Sequence, residues 1–313
     1  MTKIKDLREK DRMTLPLLVK SCVKGVTTKG SPYLNLQLQD NTGLIDGKLW
    51  DAGQTDMEQA KAGHVQEVSF EVLEYNHNLQ LRVNYIRDLD QDAVDWSQYV
   101  MASAISQDEL KERFKGYVDS ISNENYRKLV QAMLERCNAR FFRYPAASRI
   151  HHNYMGGLAE HTLGMAALAE DVAGLYPNLD RDLLIAGVLV HDMGKTAELG
   201  GLISSEYTEE GKLIGHISIC HGWLMEEAIK LGLQDTEEAI LLRHMVLSHH
   251  GKHEFGSPVL PEIPEAEALF LIDNMDARMN TLRQTLKNVK PGNWSQKVFA
   301  LDNRQFYKPK KED

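Results

Sequence analysis

Near residue 90 the spacing of apolar residues changes from every second position to every third or fourth. No single sheet or helical bundle buries both patterns, so a strand-forming part and a helix-forming part must share the chain. Leu34-Asn35-Leu36-Gln37-Leu38-Gln39 alternates strictly, Thr42-Gly43 marks a turn, and Gly43 to Trp50 reads as the next strand. Val65 to Tyr75 and Leu79 to Ile86 are two more, joined by the hairpin residues Asn76-His77-Asn78. A first strand around Val19–Val23 runs into a turn over Gly25–Ser31. Five short strands with one helical insert near Thr55–Lys61 predict a small barrel within residues 1–90.

Beyond it, Ser106-Gln-Asp-Glu109 has the form of a helix capping box. Amphipathic runs follow at Leu110–Ile121, Tyr126–Phe142, Leu158–Leu175, Leu183–Val190, Ile217–Leu231, Thr236–Ser248 and Ala266–Leu286. The expected architecture is a multidomain α and β chain: a five-stranded barrel at 1–90, a linker at 91–106, an all-helical domain at 107–296 and a loose tail at 297–313.

Composition narrows the class of function. A net charge of −9 gives no support to binding through a broad basic surface, although bound cations would add local positive charge outside that count. No apolar run is long enough to span a bilayer, so no membrane partner is expected. Cys22, Cys137 and Cys220 are far apart and odd in number, which argues against a disulfide framework and for a reducing cytoplasm.

The chemistry is concentrated in the histidines. Of 12, all but His64 and His77 lie beyond residue 150. His191-Asp192 ends the apolar run Leu183–Val190, where a rigid buried element can hold both side chains toward one cavity. A carboxylate there has two oxygens and can bridge two metals. His161 lies near the start of one helix, His216 opens another, and His249-His250 closes a third. Asp273 and Asp276 stand three apart on a fourth, on neighbouring faces of one turn. His64, His77, His221, His244 and His253 lack such neighbours and read as structural or solvated.

At His161, His191-Asp192 and Asp273 the sequence resembles the HD-domain superfamily of metal-dependent phosphohydrolases, and His216 with His249-His250 resembles the subset with a second metal. Glu160-His-Thr162 followed by His191-Asp-Met-Gly-Lys195 is close to the usual wording, with Met193 where Ile or Leu is more common. The whole chain is similar to the YhaM family of bacterial 3′→5′ exoribonucleases, in which an OB-like barrel precedes an all-α HD domain. The resemblance is carried by Tyr33–Asp40, Gly43–Trp50, His152–Thr162, Ser248-His-His-Gly251 and Ile272–Ala277. It implies one metal on His161, His191, Asp192 and Asp273, and another on Asp192, His216, His249 and His250. Asp276 is the alternative to Asp273, or supports a ligand from behind. Manganese is the ion the resemblance implies; the ligand types also accept iron, cobalt or zinc.

The resemblance implies 3′→5′ hydrolysis of single-stranded RNA, by a hydroxide activated by two metals, with Asp192 as the shared carboxylate. Lys195 is expected to contact a phosphate oxygen, and Arg149, His151 and His152 to hold the nucleotide. On the barrel, Tyr33, Trp50, Phe70, Tyr75 and Tyr85 are candidate stacking residues, with Lys20, Lys24, Lys29, Lys48 and Arg82 along the backbone. About half of those aromatics should fill the barrel instead, and Trp50 can face either way. Single-stranded DNA as a second substrate and self-association stay open. The rival readings are an HD-type nucleotidase or cyclic-dinucleotide phosphodiesterase, and a nucleic-acid-binding regulator with an inactive HD site.

Overall fold

The computed structural model describes residues 2–28, 30–75, 78–100, 103, 105–146, 154–201, 207–287 and 289–310. They divide into two compact units, one within residues 1–103 and one formed by 104–199 with 207–313.

The first unit is a closed barrel. Its strands are β1 (Arg12–Val26), β2 (Pro32–Asp40), β3 (Gly43–Trp50), β4 (Val65–Tyr75) and β5 (Asn78–Asp88), with helix α1 (Gln54–Gln59) between β3 and β4. Closure in the order β1-β2-β3-β5-β4 is the five-stranded Greek-key arrangement of an OB-fold. One long strand makes it possible. β1 pairs with β4 from Arg12 to Leu18 and with β2 from Leu18 to Val26, and its register shifts between Val19 and Ser21. A short parallel pairing of β3 with β5, from Gly47↔Leu81 to Leu49↔Val83, completes the circle. Leu17, Val19, Leu34, Leu36, Leu38, Val68, Phe70, Val72, Leu81 and Ile86 fill the interior. Asp40 fixes the β2–β3 turn, its Oδ1 accepting from the Thr42 N–H at 2.7 Å and its Oδ2 from the Ile4 N–H at 2.7 Å.

Residues 91–106, expected to be a linker, begin with two 3-10 turns, Gln91–Ala93 and Trp96–Gln98. Val94, Trp96 and Tyr99 pack with Leu18 and Val65, so apolar side chains hold this stretch to the barrel. Of the hairpin residues, Asn76 and His77 lie outside the described residues.

The second unit is helical: α2 (Gln107–Ser120), α3 (Glu124–Cys137), α4 (Gly157–Leu175), α5 (Arg181–Val190), α6 (Lys195–Glu198), α7 (Glu209–Leu213), α8 (His216–Leu231), α9 (Glu237–Ser248) and α10 (Pro264–Lys287). Ser106 caps α2, accepting from the Glu109 N–H at 3.2 Å, and Thr236 caps α9 in the same way. The run expected to continue to Phe142 leaves α-helical form after Cys137. Phe141 and Phe142 turn inward there and meet Phe114 edge-on at 5.1 and 5.7 Å. α5 is buried along its whole apolar length from Leu183 to Val190, inside a core drawn from α2–α5 and α8–α10. The tail, expected loose from 297, folds back through bridges Trp294↔Tyr307 and Val298↔Arg304, with Leu301 buried beneath them. Among the described residues no helix is long and apolar enough to cross a membrane.

Candidate metal centre

Burial of α5 decides where its end emerges. His191 caps its C-terminus and is fully buried, and Asp192 follows it at 2% exposure. The last carbonyls of a helix lack intrahelical partners. His191 satisfies one: its Nδ1–H donates to the Val188 carbonyl at 2.8 Å. His249 does the same at the end of α9, donating from Nδ1 to the Val246 carbonyl at 2.7 Å. His250 donates from Nδ1 to the Phe255 carbonyl at 2.7 Å. A carbonyl only accepts, so the proton sits on Nδ1 in all three rings and Nε2 presents a lone pair.

His161 on α4 and His216 at the start of α8 are held by carboxylates instead. His161 Nδ1 lies 2.7 Å from Asp276 Oδ2, and His216 Nδ1 lies 3.0 Å from Glu198 Oε1. All five rings are thus turned the same way, with Nδ1 engaged behind. A metal-bound imidazole typically donates its other ring N–H to a carboxylate or carbonyl in this manner.

Asp192 lies between two groups of these side chains. Its Oδ2 is 3.2 Å from His191 Nε2 and 3.8 Å from His161 Nε2; its Oδ1 is 3.5 Å from His216 Nε2 and 3.7 Å from His249 Nε2. The donor atoms of His161, His191 and Asp273 lie within 4.8 Å of one another, and so do those of His216, His249 and His250. Nε2 of His191, His216 and His249, with Asp192 Oδ1, are buried without a hydrogen-bond partner among the described residues. Leaving such atoms unpaired is costly. A cation beside each trio would satisfy them, and two nitrogens about 2.1 Å from one ion stand about 3–3.5 Å apart, close to these spacings. The residues therefore fit divalent cations.

The charges are consistent with that. Burial alone would raise the Asp192 carboxyl, but Lys195, His191 and His216 outweigh it and hold it well below the usual range. Burial keeps His249 well below an ordinary histidine, helped by the neighbouring rings of His250 and His191, and burial also lowers His250. His161 goes the other way. Burial opposes its charge, yet Asp273 and Asp276 prevail and push it up to about 9, so a proton lies where a cation would otherwise bind.

Lys195 points at Asp192 rather than outward, its Nζ donating to Oδ2 at 2.7 Å. Gly194, between them in sequence, touches α8. A Cβ there would lie 2.2 Å from the His216 carbonyl oxygen, so only glycine lets the turn after α5 approach His216.

Arg149, His151 and His152 lie outside the described residues. Asp276 meets His161 at Nδ1, at 2.7 Å, whereas Asp273 meets it at Nε2, at 3.3 Å. His221 accepts from the Arg243 side chain, His244 accepts from the Glu262 N–H, and His64 pairs with Asp88, so these three have roles apart from the cluster. Glu198 was not foreseen. It carries no metal-donor pattern in sequence, and only the packing of α6 against α8 brings it to His216.

On the barrel, Tyr33 and Trp50 are cross-strand partners whose rings lie 5.1 Å apart. Ile45 and Leu49 point inward, so Trp50 points outward at 45% exposure. Lys48 Nζ stands 5.2 Å from the Trp50 ring centre and 5.8 Å from that of Tyr33. Gly25 opposite leaves room for the Tyr33 ring, which a Cβ would meet at 2.4 Å. Arg82 is level with Lys48 on β5 and pairs with Glu71. Phe70 is in the core, Tyr75 is exposed, and Tyr85 carries Arg87 over its ring. Lys20 is buried at the irregular step of β1, and Lys29 lies outside the described residues.

The helical unit and its histidine–aspartate cluster place the protein in the HD class. The HD domain family model matches residues 158–278, a span holding every residue of the cluster from His161 to Asp273. A second model, TraI_2, whose description concerns a helicase, matches residues 96–177 and contains only His161 of that set. Two relatives match nearly end to end. The 3′-5′ exoribonuclease YhaM of Bacillus subtilis (strain 168) is 43% identical over 294 residues, 94% of this chain and 93% of its own length. The protein of the same name from Geobacillus sp. (strain WCH70) is 42% identical over 300 residues, 96% and 92%. The chain belongs to the YhaM family of 3′-5′ exoribonucleases. Among solved structures, the second OB-fold domain of replication protein A from Methanococcus maripaludis is similar at 26% identity, covering 28% of this chain and 94% of that domain with a TM-score of 0.24.

Proposed function

We propose that this protein is a metal-dependent exoribonuclease that removes nucleotides from the 3′ end of single-stranded RNA, with two divalent cations in the helical unit. The observation that carries this is the common orientation of five histidines, Nδ1 engaged behind and Nε2 toward Asp192 or its neighbours. The direction and the substrate follow from the two YhaM relatives, whose names state both.

In this reading His161, His191 and Asp273 would hold one cation and His216, His249 and His250 the other, with the Asp192 carboxylate between the two groups as a ligand to both. Bound cations supply a nucleophilic water near neutral pH and neutralise charge on the phosphoryl oxygens. Manganese is the proposed ion, by family resemblance. The chain's own groups do the rest. Asp192 fixes the spacing of the two positions. Lys195, which donates to Asp192 in the structure, would be the group to reach a non-bridging oxygen of the phosphate. In-line attack of water on phosphorus breaks the P–O3′ bond and releases a nucleoside 5′-phosphate.

On the barrel, Tyr33 and Trp50 offer flat surfaces for two bases, and Lys48 pairs with the backbone. Strands 2 and 3 are where OB-folds take oligonucleotides, and stacking serves any sequence. A few cationic side chains and stacking give binding that weakens with salt.

The test is a time course on single-stranded RNA labelled at its 5′ end, with manganese and with EDTA. A ladder shortening from the 3′ end with manganese only is expected. Intact RNA alongside hydrolysis of mononucleotides or cyclic dinucleotides would replace this reading with that of a nucleotide phosphohydrolase.

A further inference from the structure

The five histidines are not supported alike. His191, His249 and His250 donate to backbone carbonyls, whereas His161 and His216 face carboxylates, and there is one such pair in each trio. A carboxylate behind an imidazole fixes its orientation and raises the basicity of the far nitrogen; a neutral carbonyl does so less.

Glu198 is placed with care for this purpose. It is 9% exposed, and its Oε1 accepts both the His216 ring and the His216 backbone N–H at 3.0 Å. Gly215 precedes α8 and has no side chain to cap it, so Glu198 also supplies a negative charge at the helix start. The segment carrying it is pinned on both sides. The Thr208 N–H donates to the Glu198 carbonyl at 2.9 Å, Thr208 Oγ1 donates to the Ala197 carbonyl at 2.8 Å, and Leu199 bridges to Tyr207. None of these residues belongs to either trio.

We infer that Glu198 is a positioning residue that sets the strength of the second cation position through His216, as Asp276 sets that of the first through His161. The inference rests on the two-cation reading above. Its competitor is a purely structural part for Glu198, as the cap of α8. Glutamine at 198 and asparagine at 276 separate the two, because each keeps an accepting oxygen and removes the charge.

The experiment is calorimetric titration of the chelator-treated full-length protein with Mn2+, with metal content measured after dialysis, for wild type, Glu198→Gln, Asp276→Asn and the double variant. Expected is uptake of two ions by wild type. Glu198→Gln weakens one binding step by about 10-fold or more, Asp276→Asn weakens the other, and the double variant weakens both additively. Ring nitrogen NMR of chelated Glu198→Gln should still find the proton of His216 on Nδ1, showing that the site is formed. Binding by Glu198→Gln equal to wild type would overturn the inference in favour of the cap, and equal weakening of both steps by either variant would overturn it too. Uptake of one ion by wild type is a separate outcome, which overturns the two-cation reading itself.

Discussion

Lys195 Nζ donates to Asp192 Oδ2 at 2.7 Å, the oxygen turned away from His216 and His249. Asp192 is buried and Lys195 nearly so, and the carboxylate is strongly stabilised in its charged form, with the lysine first among the stabilising groups. Without cations, Lys195 is therefore the main positive charge on Asp192. Removing one partner of a buried pair leaves an uncompensated charge. Lys195→Met should destabilise chelated protein by about 3 kcal/mol, and Mn2+ should restore most of the loss. Melting curves with EDTA and with Mn2+ check this. If Lys195 contacts the phosphate as proposed, its removal should also lower turnover on the order of 10²-fold, while metal content stays at the wild-type level.

In the proposed arrangement Asp192 serves both trios, so its loss should be felt by both. Asp192→Asn should bind neither ion well and lose more than the 10–100-fold expected for a residue behind a ligand. Metal analysis and turnover should fall together. Full metal content with lost activity would assign Asp192 to the chemistry alone.

Trp50→Ala removes a ring that is 45% exposed, packs on Tyr33 and is not part of the barrel's core cluster, so folding should be spared. Affinity for a short single-stranded RNA should fall by about 1–3 kcal/mol, measured by fluorescence anisotropy. The rate on a dinucleotide too short to need the barrel should stay unchanged. A parallel loss on both substrates would place the ring elsewhere in function.

Lys20 offers a pH signature of the barrel. Burial lowers its pKa from 10.5 to about 8. Between those values the unfolded chain holds a proton that the folded chain has released, so stability rises with pH across that window and the group costs stability below pH 8. Lys20→Met should flatten that rise and raise stability at pH 7 by up to about 3 kcal/mol. Denaturant melts of both proteins at pH 7 and pH 10 give the comparison.

The strands were readable because an alternating pattern fixes facing as well as position. Ile45, Gly47 and Leu49 take the inside, which leaves Trp50 outside, and Val68, Phe70 and Val72 place Phe70 in the core. Expecting either orientation for Trp50 neglected that parity. The clustered histidines were readable because residue type and motif carry the signal for donor atoms. Glu198 was not, since it donates nothing to a cation and meets His216 only through tertiary packing. The stretch after residue 90 looked like a linker because it lacks a period, yet three separated apolar residues, Val94, Trp96 and Tyr99, are enough to hold it down. The turn of Phe141 and Phe142 into the core was hidden for a related reason: a helical run of apolar residues does not say where the backbone stops following it.

The order of parts along the chain has a consequence for synthesis. Every strand of the barrel, including the β3–β5 pairing that closes it, is complete by Asp88. Domains near the N-terminus fold first as a chain emerges from the ribosome. The first histidine trio, by contrast, waits for Asp273 on α10, the last long helix to be made. A nascent chain thus completes its barrel well before its histidine–aspartate cluster, and under the proposed reading a product truncated ahead of α10 would keep the strand-binding barrel and lack the cation centre.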